Sequence, residues 1–324
     1  MKYFNRHILL NSIKMAVAAI ISILIADLLG LEHEVSAGIC ALLTIQPTKK
    51  ETIKTAFDRL LAFIISIAIS FVCFSMLGYT VWAFLLYLVV YIIICENNSW
   101  YAAITINAVL MGHLYTAGNM ELDTVLNEVY IFAIGVSIGI LSNLHLKKNV
   151  DYMEELKIET DAQIQKILMR MSERILNHDM SDYNGDCFEV LRDHIRHAKN
   201  VAEKNYNNQF GFGDRYDQEY IHMRDEQEQV LYEMYNTIRD MDMSPITTEK
   251  ISHFLQELSA MYREVEKAEL LMDKLKKLHE EMKRAPLPTE RQEFENRAYL
   301  FVLIKHMEEL IQIKIDFAKR HFDI

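Results

Sequence analysis

Cysteine is scarce in this 324-residue sequence: Cys40, Cys73, Cys95 and Cys187 are the only four. They form no CxxC pair, which excludes a zinc ribbon, a redox dithiol and a disulfide framework. Three of them lie inside apolar runs, as buried thiols in a reducing setting do. A basic excess is missing as well. The 34 Lys and Arg face 45 Asp and Glu, a formal net charge of −11, and neither half of the chain carries a positive surplus, so no nucleic-acid partner is expected. There is no nucleophile elbow, no HExxH pair and no kinase-type set, so the chain does not look like an enzyme. Gly211-Phe212-Gly213 has neither a preceding strand nor a GKS/T sequence, which removes a nucleotide loop. Asp193, His194 and His197 share adjacent helical turns, but the sequence fixes no third ligand. No metal and no cofactor is therefore expected.

What is present is unevenly spread. The mean hydropathy of +0.02 is that of an ordinary soluble protein, yet it averages two unlike halves. Residues 1–148 hold nine basic residues (Lys2, Arg6, Lys14, Lys49, Lys50, Lys54, Arg59, Lys147, Lys148) and nine acidic ones. The other 25 basic and 36 acidic residues fall in 149–324, which therefore carries the whole −11. The expected fold class is all-α: a six-helix transmembrane domain over 1–148, followed by a cytoplasmic antiparallel helical bundle over 149–324.

A helix needs about 20 apolar residues to cross the hydrocarbon core, and fewer when it is packed in a bundle. Six segments qualify: Ile13–Leu29, Val35–Ile45, Phe57–Leu77, Val81–Cys95, Trp100–Tyr115 and Val125–Leu144. The first carries Asp27 and is followed by further spans, unlike a cleaved signal peptide. Basic residues prefer cytoplasmic loops. With the N-terminus inside, all nine basic residues of this half fall on the cytoplasmic side. The outer loops near Leu31–Glu34, Gly78–Thr80 and Thr116–Thr124 hold only Glu32, Glu34, Glu121 and Asp123 as charged residues. The expected setting is a multi-pass protein of the bacterial cell membrane, with the acidic half in the cytoplasm. Six short spans are too few to enclose a path alone, so a homo-oligomer of at least two chains is expected.

From Asp151 onward strand-like alternation is absent and apolar residues recur at helical spacing. Stripes run over 153–175, 220–241 and 251–282, and residues 187–206 and 289–322 supply two more helices, five in all. Ser244-Pro245 and Thr289-Glu290 suit helix starts, and loops fall at Asn177–Gly185, Phe210–Asp214 and Ala285–Pro288. The apolar stretch Tyr299–Leu303 with Ile311, Ile313 and Ile315 predicts a last helix buried on more than one face.

Two constellations carry chemistry. The first is the proline-broken stretch Gln46-Pro47-Thr48-Lys49-Lys50, with Lys54 and Arg59 beyond it. A broken helix leaves backbone groups that lipid cannot satisfy, so it persists where protein or a watery cavity covers it. Next to cations, such breaks suit anions. The positive-inside bias alone would also place these lysines here, and Pro47 would end a helix in either case. The second set is Asp27, His113 and Glu128, ionisable groups toward the outer ends of spans one, five and six. Ionisable groups at membrane depth mark pathways or proton sites, and imidazole titrates nearest neutrality. The three are expected to form an outward-facing proton or substrate gate, unless each is interfacial and solvated. Asn107, Thr105 and Ser75 suit either helix glue or pore lining. Gly135 and Gly139 predict close helix contact, within or between protomers. Trp82, Trp100, Tyr79 and Tyr115 suit interfacial anchors.

Gln46-Pro47-Thr48, followed eleven residues later by Arg59 opening an apolar helix, resembles the membrane motif of the fusaric-acid-resistance-like superfamily. The six short spans, Ala37-Gly38 before the motif and the acidic helical tail resemble its single-chain Gram-positive branch, the aromatic acid exporter family. The resemblance covers essentially the full chain. It implies an inner-membrane efflux transporter for aromatic or amphipathic carboxylic acid anions, driven by protons or by the membrane potential. Gln46, Pro47, Thr48, Lys49, Lys50, Lys54, Arg59 and Asn107 would line the substrate path, and Asp27, His113 and Glu128 the gate. One departure stands out: where glycines usually follow the motif's arginine, this chain has Leu60-Leu61-Ala62-Phe63. The alternative from another class is a membrane-anchored sensor or scaffold whose bundle binds a partner or small ligand.

Overall fold

The computed structural model describes residues 6–144, 149–177, 184–209, 214–241 and 248–322. Lys2, Lys147, Lys148, Ser244, Pro245, the Gly211–Gly213 stretch and the side chain of Arg6 lie outside the described residues. Two compact units divide the chain, Met1–Lys148 with Asn207–Phe212 and Asn149–Tyr206 with Gly213–Ile324. Every regular element among the described residues is helical.

The first unit holds α1 (Arg6–Leu28), α2 (Glu34–Thr44), α3 (Lys49–Leu77), α4 (Val81–Asn97), α5 (Tyr101–Ala117) and α6 (Leu122–Asn143). Three of them, α1, α3 and α6, are long and apolar enough to cross a membrane; α2 and α4 are shorter apolar helices. The third begins eight residues before the apolar run that announces it, at Lys49 rather than Phe57. Thr48 is the reason: its hydroxyl accepts the Glu51 amide at 3.3 Å and closes the first turn. A capped polar turn thus extends the helix where hydropathy sees none. Between α2 and α3, Ile45 is extended and Pro47, which has no amide to donate, keeps the two helices apart.

The short α2 packs mainly on α6 and α1, and the glycine spacing serves these contacts. A Cβ on Gly135 would collide with Cys40 and come 2.5 Å from the Ala37 carbonyl; one on Gly139 would lie 2.7 Å from Thr44 Cβ. Gly38 faces α1 in the same way, 2.8 Å from Ile23. The close contact is therefore within the chain. It also lies on α2 and α6, not on the stretch after Arg59, where Phe63 stacks on Phe132 at 4.4 Å instead.

The second unit holds α7 (Val150–Arg174), α8 (Asp186–Asn207), α9 (Tyr216–Arg239), α10 (Thr248–Ala260), a 3-10 turn at Val265–Lys267, α11 (Ala268–Lys283) and α12 (Arg291–His321). They share one core, with α7 packed on α10 and α9, and α12 on α9 and α11. The expected single helix over 251–282 is two, so the bundle has six helices where five are expected. Both pieces keep the apolar stripe because both face the same core, so periodicity carries no mark of the break. The break itself is held by Lys314 of α12, whose ammonium donates to the Met261 and Tyr262 carbonyls. The last helix starts at Arg291 and buries Leu300, Leu303, Ile304, Met307, Leu310 and Ile311, while Tyr299 and Val302 remain exposed.

Candidate functional site

In the first unit the polar side chains gather at two opposite ends. At one, three helices and the α2–α3 connection meet through Asn143 of α6. Its amide donates to the Gln46 carbonyl and to Thr52 Oγ1, each at 2.6 Å, and its oxygen accepts Lys14 Nζ at 2.7 Å. Protein thereby covers part of the broken α2–α3 connection, with Thr48 and Thr52 almost fully buried. Gln46 is half-buried at the same place, whereas Pro47 is exposed. Lys49 and Lys50 are half-buried in the first turn of α3, whereas Lys54 is exposed on its outer side.

Deeper on α3 stands Arg59, 3% exposed. Its Nε donates to the Ala102 carbonyl at 3.0 Å and its Nη1 to Thr44 Oγ1 at 3.1 Å. Both acceptors are neutral, and no carboxylate comes within 4.0 Å of it among the described residues. The guanidinium faces α2 and α5. On the other flank of α3 runs an apolar groove of about 490 Å³ against α6, lined by Phe57, Leu60, Phe63, Phe132 and Val136 among others.

Beside Arg59 a polar seam continues between α3, α4 and α5. Asn107 donates to Tyr91 Oη at 2.8 Å, Tyr91 donates to the Ala103 carbonyl at 3.1 Å, and Ser66 shares a 2.7 Å hydrogen bond with Tyr87. The Asn107 side-chain oxygen is buried without a partner among the described residues. Ring contacts prolong the seam through Tyr87, Phe84 and Tyr115. Tyr87, Tyr91 and Cys95 recur every fourth residue on an otherwise apolar helix, which is the signal that would have found the seam.

At the opposite end His113 Nδ1 donates to Glu128 Oε2 at 2.9 Å, and the Ser36 hydroxyl lies 3.4 Å from the other ring nitrogen. Glu128 is 1% exposed, and Asn127 donates to its second oxygen at 3.1 Å. Two of the three expected gate residues are thus brought together. Asp27 is not with them: it is exposed at the end of α1, because the α-helical period turns it away from α6 while its neighbour Ala26 is buried. Two further residues complete the cluster. The His33 ring stacks on His113, with centroids 4.0 Å apart, and Asn127 holds both backbone groups of Glu32 at 2.9 and 3.0 Å.

The second unit buries its own charges. Arg224 is fully buried and donates to Asp161, Gln227 and Tyr220 at 2.8, 2.7 and 2.9 Å. It lies between the Tyr220 and Tyr262 rings, 4.8 and 4.6 Å from their centroids. Burial pushes both tyrosine hydroxyls up from their ordinary range. Lys314, also buried, is pushed down to about 7 by burial first and by the neighbouring Arg224 second. On α8, His197 engages the Tyr152 hydroxyl and Asp193 pairs with Arg196.

Comparison with known proteins adds two family matches. Residues 7–146 match the family model "Aromatic acid exporter family member 1", and residues 151–315 match "Putative aromatic acid exporter C-terminal domain". Over 311 residues the chain is 27% identical to the uncharacterized protein YqjA of Bacillus subtilis (strain 168), covering 94% of each. It also aligns with a crystal structure of a "putative membrane protein" from Clostridium difficile 630. That alignment has a TM-score of 0.46 at 23% identity and covers 52% of this chain and 99% of the other.

Proposed function

The chain belongs to the aromatic acid exporter family, and from that premise we propose that it exports aromatic or amphipathic carboxylic acid anions across the cell membrane. The buried Arg59 carries this reading. A buried cation is costly unless it is paired, and among the described residues the Arg59 side chain meets a threonine and a backbone carbonyl but no carboxylate. A substrate carboxylate supplies the missing charge, and a guanidinium receives it in bidentate geometry. Lys14, Lys49, Lys50 and Lys54, at the same end, collect the anion. Gln46, Pro47 and Thr48 frame the entrance, and Asn107 continues it toward the tyrosine seam.

With the N-terminus and the second unit inside, the anion leaves past His113 and Glu128, with exposed Asp27 at the rim. An anion leaving an inside-negative cell gains about 2.3 kcal/mol per 100 mV. Proton entry through His113 and Glu128 would add to it. The acidic second unit repels the substrate, so oligomerisation or gating suits it better than capture. At least two chains would enclose the path.

The test is efflux of a labelled aromatic acid from cells lacking the gene and from cells regaining it. Restored efflux, reduced about tenfold by Arg59→Gln (the loss of about 1.4 kcal/mol of substrate interaction), is expected. Unchanged accumulation across a panel of acids would overturn transport in favour of a membrane-anchored sensor or scaffold.

A further inference from the structure

His33 occupies the connection between α1 and α2, and its backbone is left-handed, with φ 61° and ψ 37°. A residue with a Cβ adopts that conformation only when its surroundings hold it there. Two contacts do so. The ring stacks on His113 at 4.0 Å with planes 21° apart, and the Asn127 side chain grips the Glu32 backbone next door. Asn127 also binds Glu128, so one residue ties the connection to the acid that pairs with His113.

The three titratable groups run from water inward. His33 is exposed, while the side chains of His113 and Glu128 are 17% and 2% exposed. Among the described residues, the other charged residues on the connections and helix ends at this end are acidic: Glu32 in the connection, Glu34 in the first turn of α2, Asp27 at the end of α1, and Glu121 and Asp123 at the start of α6. Protons arriving from solvent are therefore drawn to this end, and His33 meets them first.

We propose that the His33–His113 stack is a proton-operated latch on the α1–α2 connection. With His33 neutral, the rings stay together and the connection is pinned over the His113–Glu128 pair. A proton on His113 is balanced by Glu128. A second proton, on His33, sets two like charges face to face at 4.0 Å, with Glu128 hydrogen-bonded to His113 alone. The rings part, the backbone at His33 leaves its left-handed conformation, and His113–Glu128 opens to solvent. The outward direction of this opening rests on the orientation given above; the latch itself does not.

The test uses the full-length chain in lipid nanodiscs, spin-labelled at Leu29→Cys and Leu122→Cys in a Cys187→Ser background. The interlabel distance is followed between about pH 8 and 5, where an imidazole changes charge. The distance should lengthen on acidification. His33→Asn, which suits a left-handed backbone but cannot be protonated, should lose most of that shift. Glu128→Gln removes the balancing charge and should move the midpoint to lower pH. A wild-type distance that does not change with pH, or a His33→Asn protein that opens like wild type, would overturn the latch. Because no substrate is present, a protein that opens but exports nothing keeps the latch and loses the transport reading. Proton-driven efflux with a fixed distance does the reverse.

Discussion

Two buried arginines show how differently the two units treat charge. Arg224 in the second unit spends its guanidinium on Asp161, Gln227 and Tyr220 and lies between two aromatic rings. Every part of it is answered by the chain, so it acts as a brace among α7, α9 and the end of α10. Arg59 in the first unit is almost as deeply buried, yet it meets no carboxylate of its own among the described residues. Burial is therefore a poor guide to role by itself. On the proposed function, the partner set separates a group that holds a fold from one that receives a ligand.

That contrast can be broken by mutation, beginning where the effect is largest. Asp161→Ala leaves Arg224 buried and uncompensated, and should cost about 3–5 kcal/mol in denaturant unfolding of the full chain. A loss below 1 kcal/mol would place Arg224 in the same class as Arg59.

Lys314 comes next. Its folded pKa, about 7, lies below the ordinary lysine value of 10.5. Between these values the unfolded chain binds a proton that the folded chain does not, so stability rises with pH across that window. Below about 7 both states are protonated and the cost of burying the cation is constant. The stability difference between wild type and Lys314→Met should therefore climb from pH 7 toward 10, at up to about 1.4 kcal/mol per unit. A flat difference would show that Lys314 titrates normally. Smallest is Thr44→Val, which removes one neutral acceptor from Arg59 and should cost about 0.5–1.5 kcal/mol in detergent unfolding. A cost near that of Asp161→Ala would make Arg59 a structural brace after all.

The all-α character and the helices of the first unit were legible because hydropathy reports the solvent directly. What hydropathy does not report is which way a side chain turns. Asp27 and Glu128 look alike as acids near the ends of apolar helices, but one faces out and the other faces His113. Lys14 reads as an ordinary flanking charge until Asn143, 129 residues away, is found to accept its proton. His33 was illegible for another reason: its role depends on a left-handed backbone that glycine, not histidine, announces. The break between α10 and α11 escaped because one stripe serves both helices and its cap, Lys314, comes from 52 residues downstream of Tyr262.

The capped polar start of α3 sets how far the anion end reaches. Twenty-nine residues at about 1.5 Å each make a rod of about 43 Å, against a hydrocarbon core of about 30 Å. With the apolar run from Phe57 in the hydrocarbon core, the surplus falls at the polar end and would put Lys49, Lys50 and Lys54 among headgroups rather than acyl chains. On the proposed function, an acid approaching Arg59 would there have to displace lipid phosphates from the same lysines, and the anionic lipid content of that leaflet would set the effective affinity at the entrance.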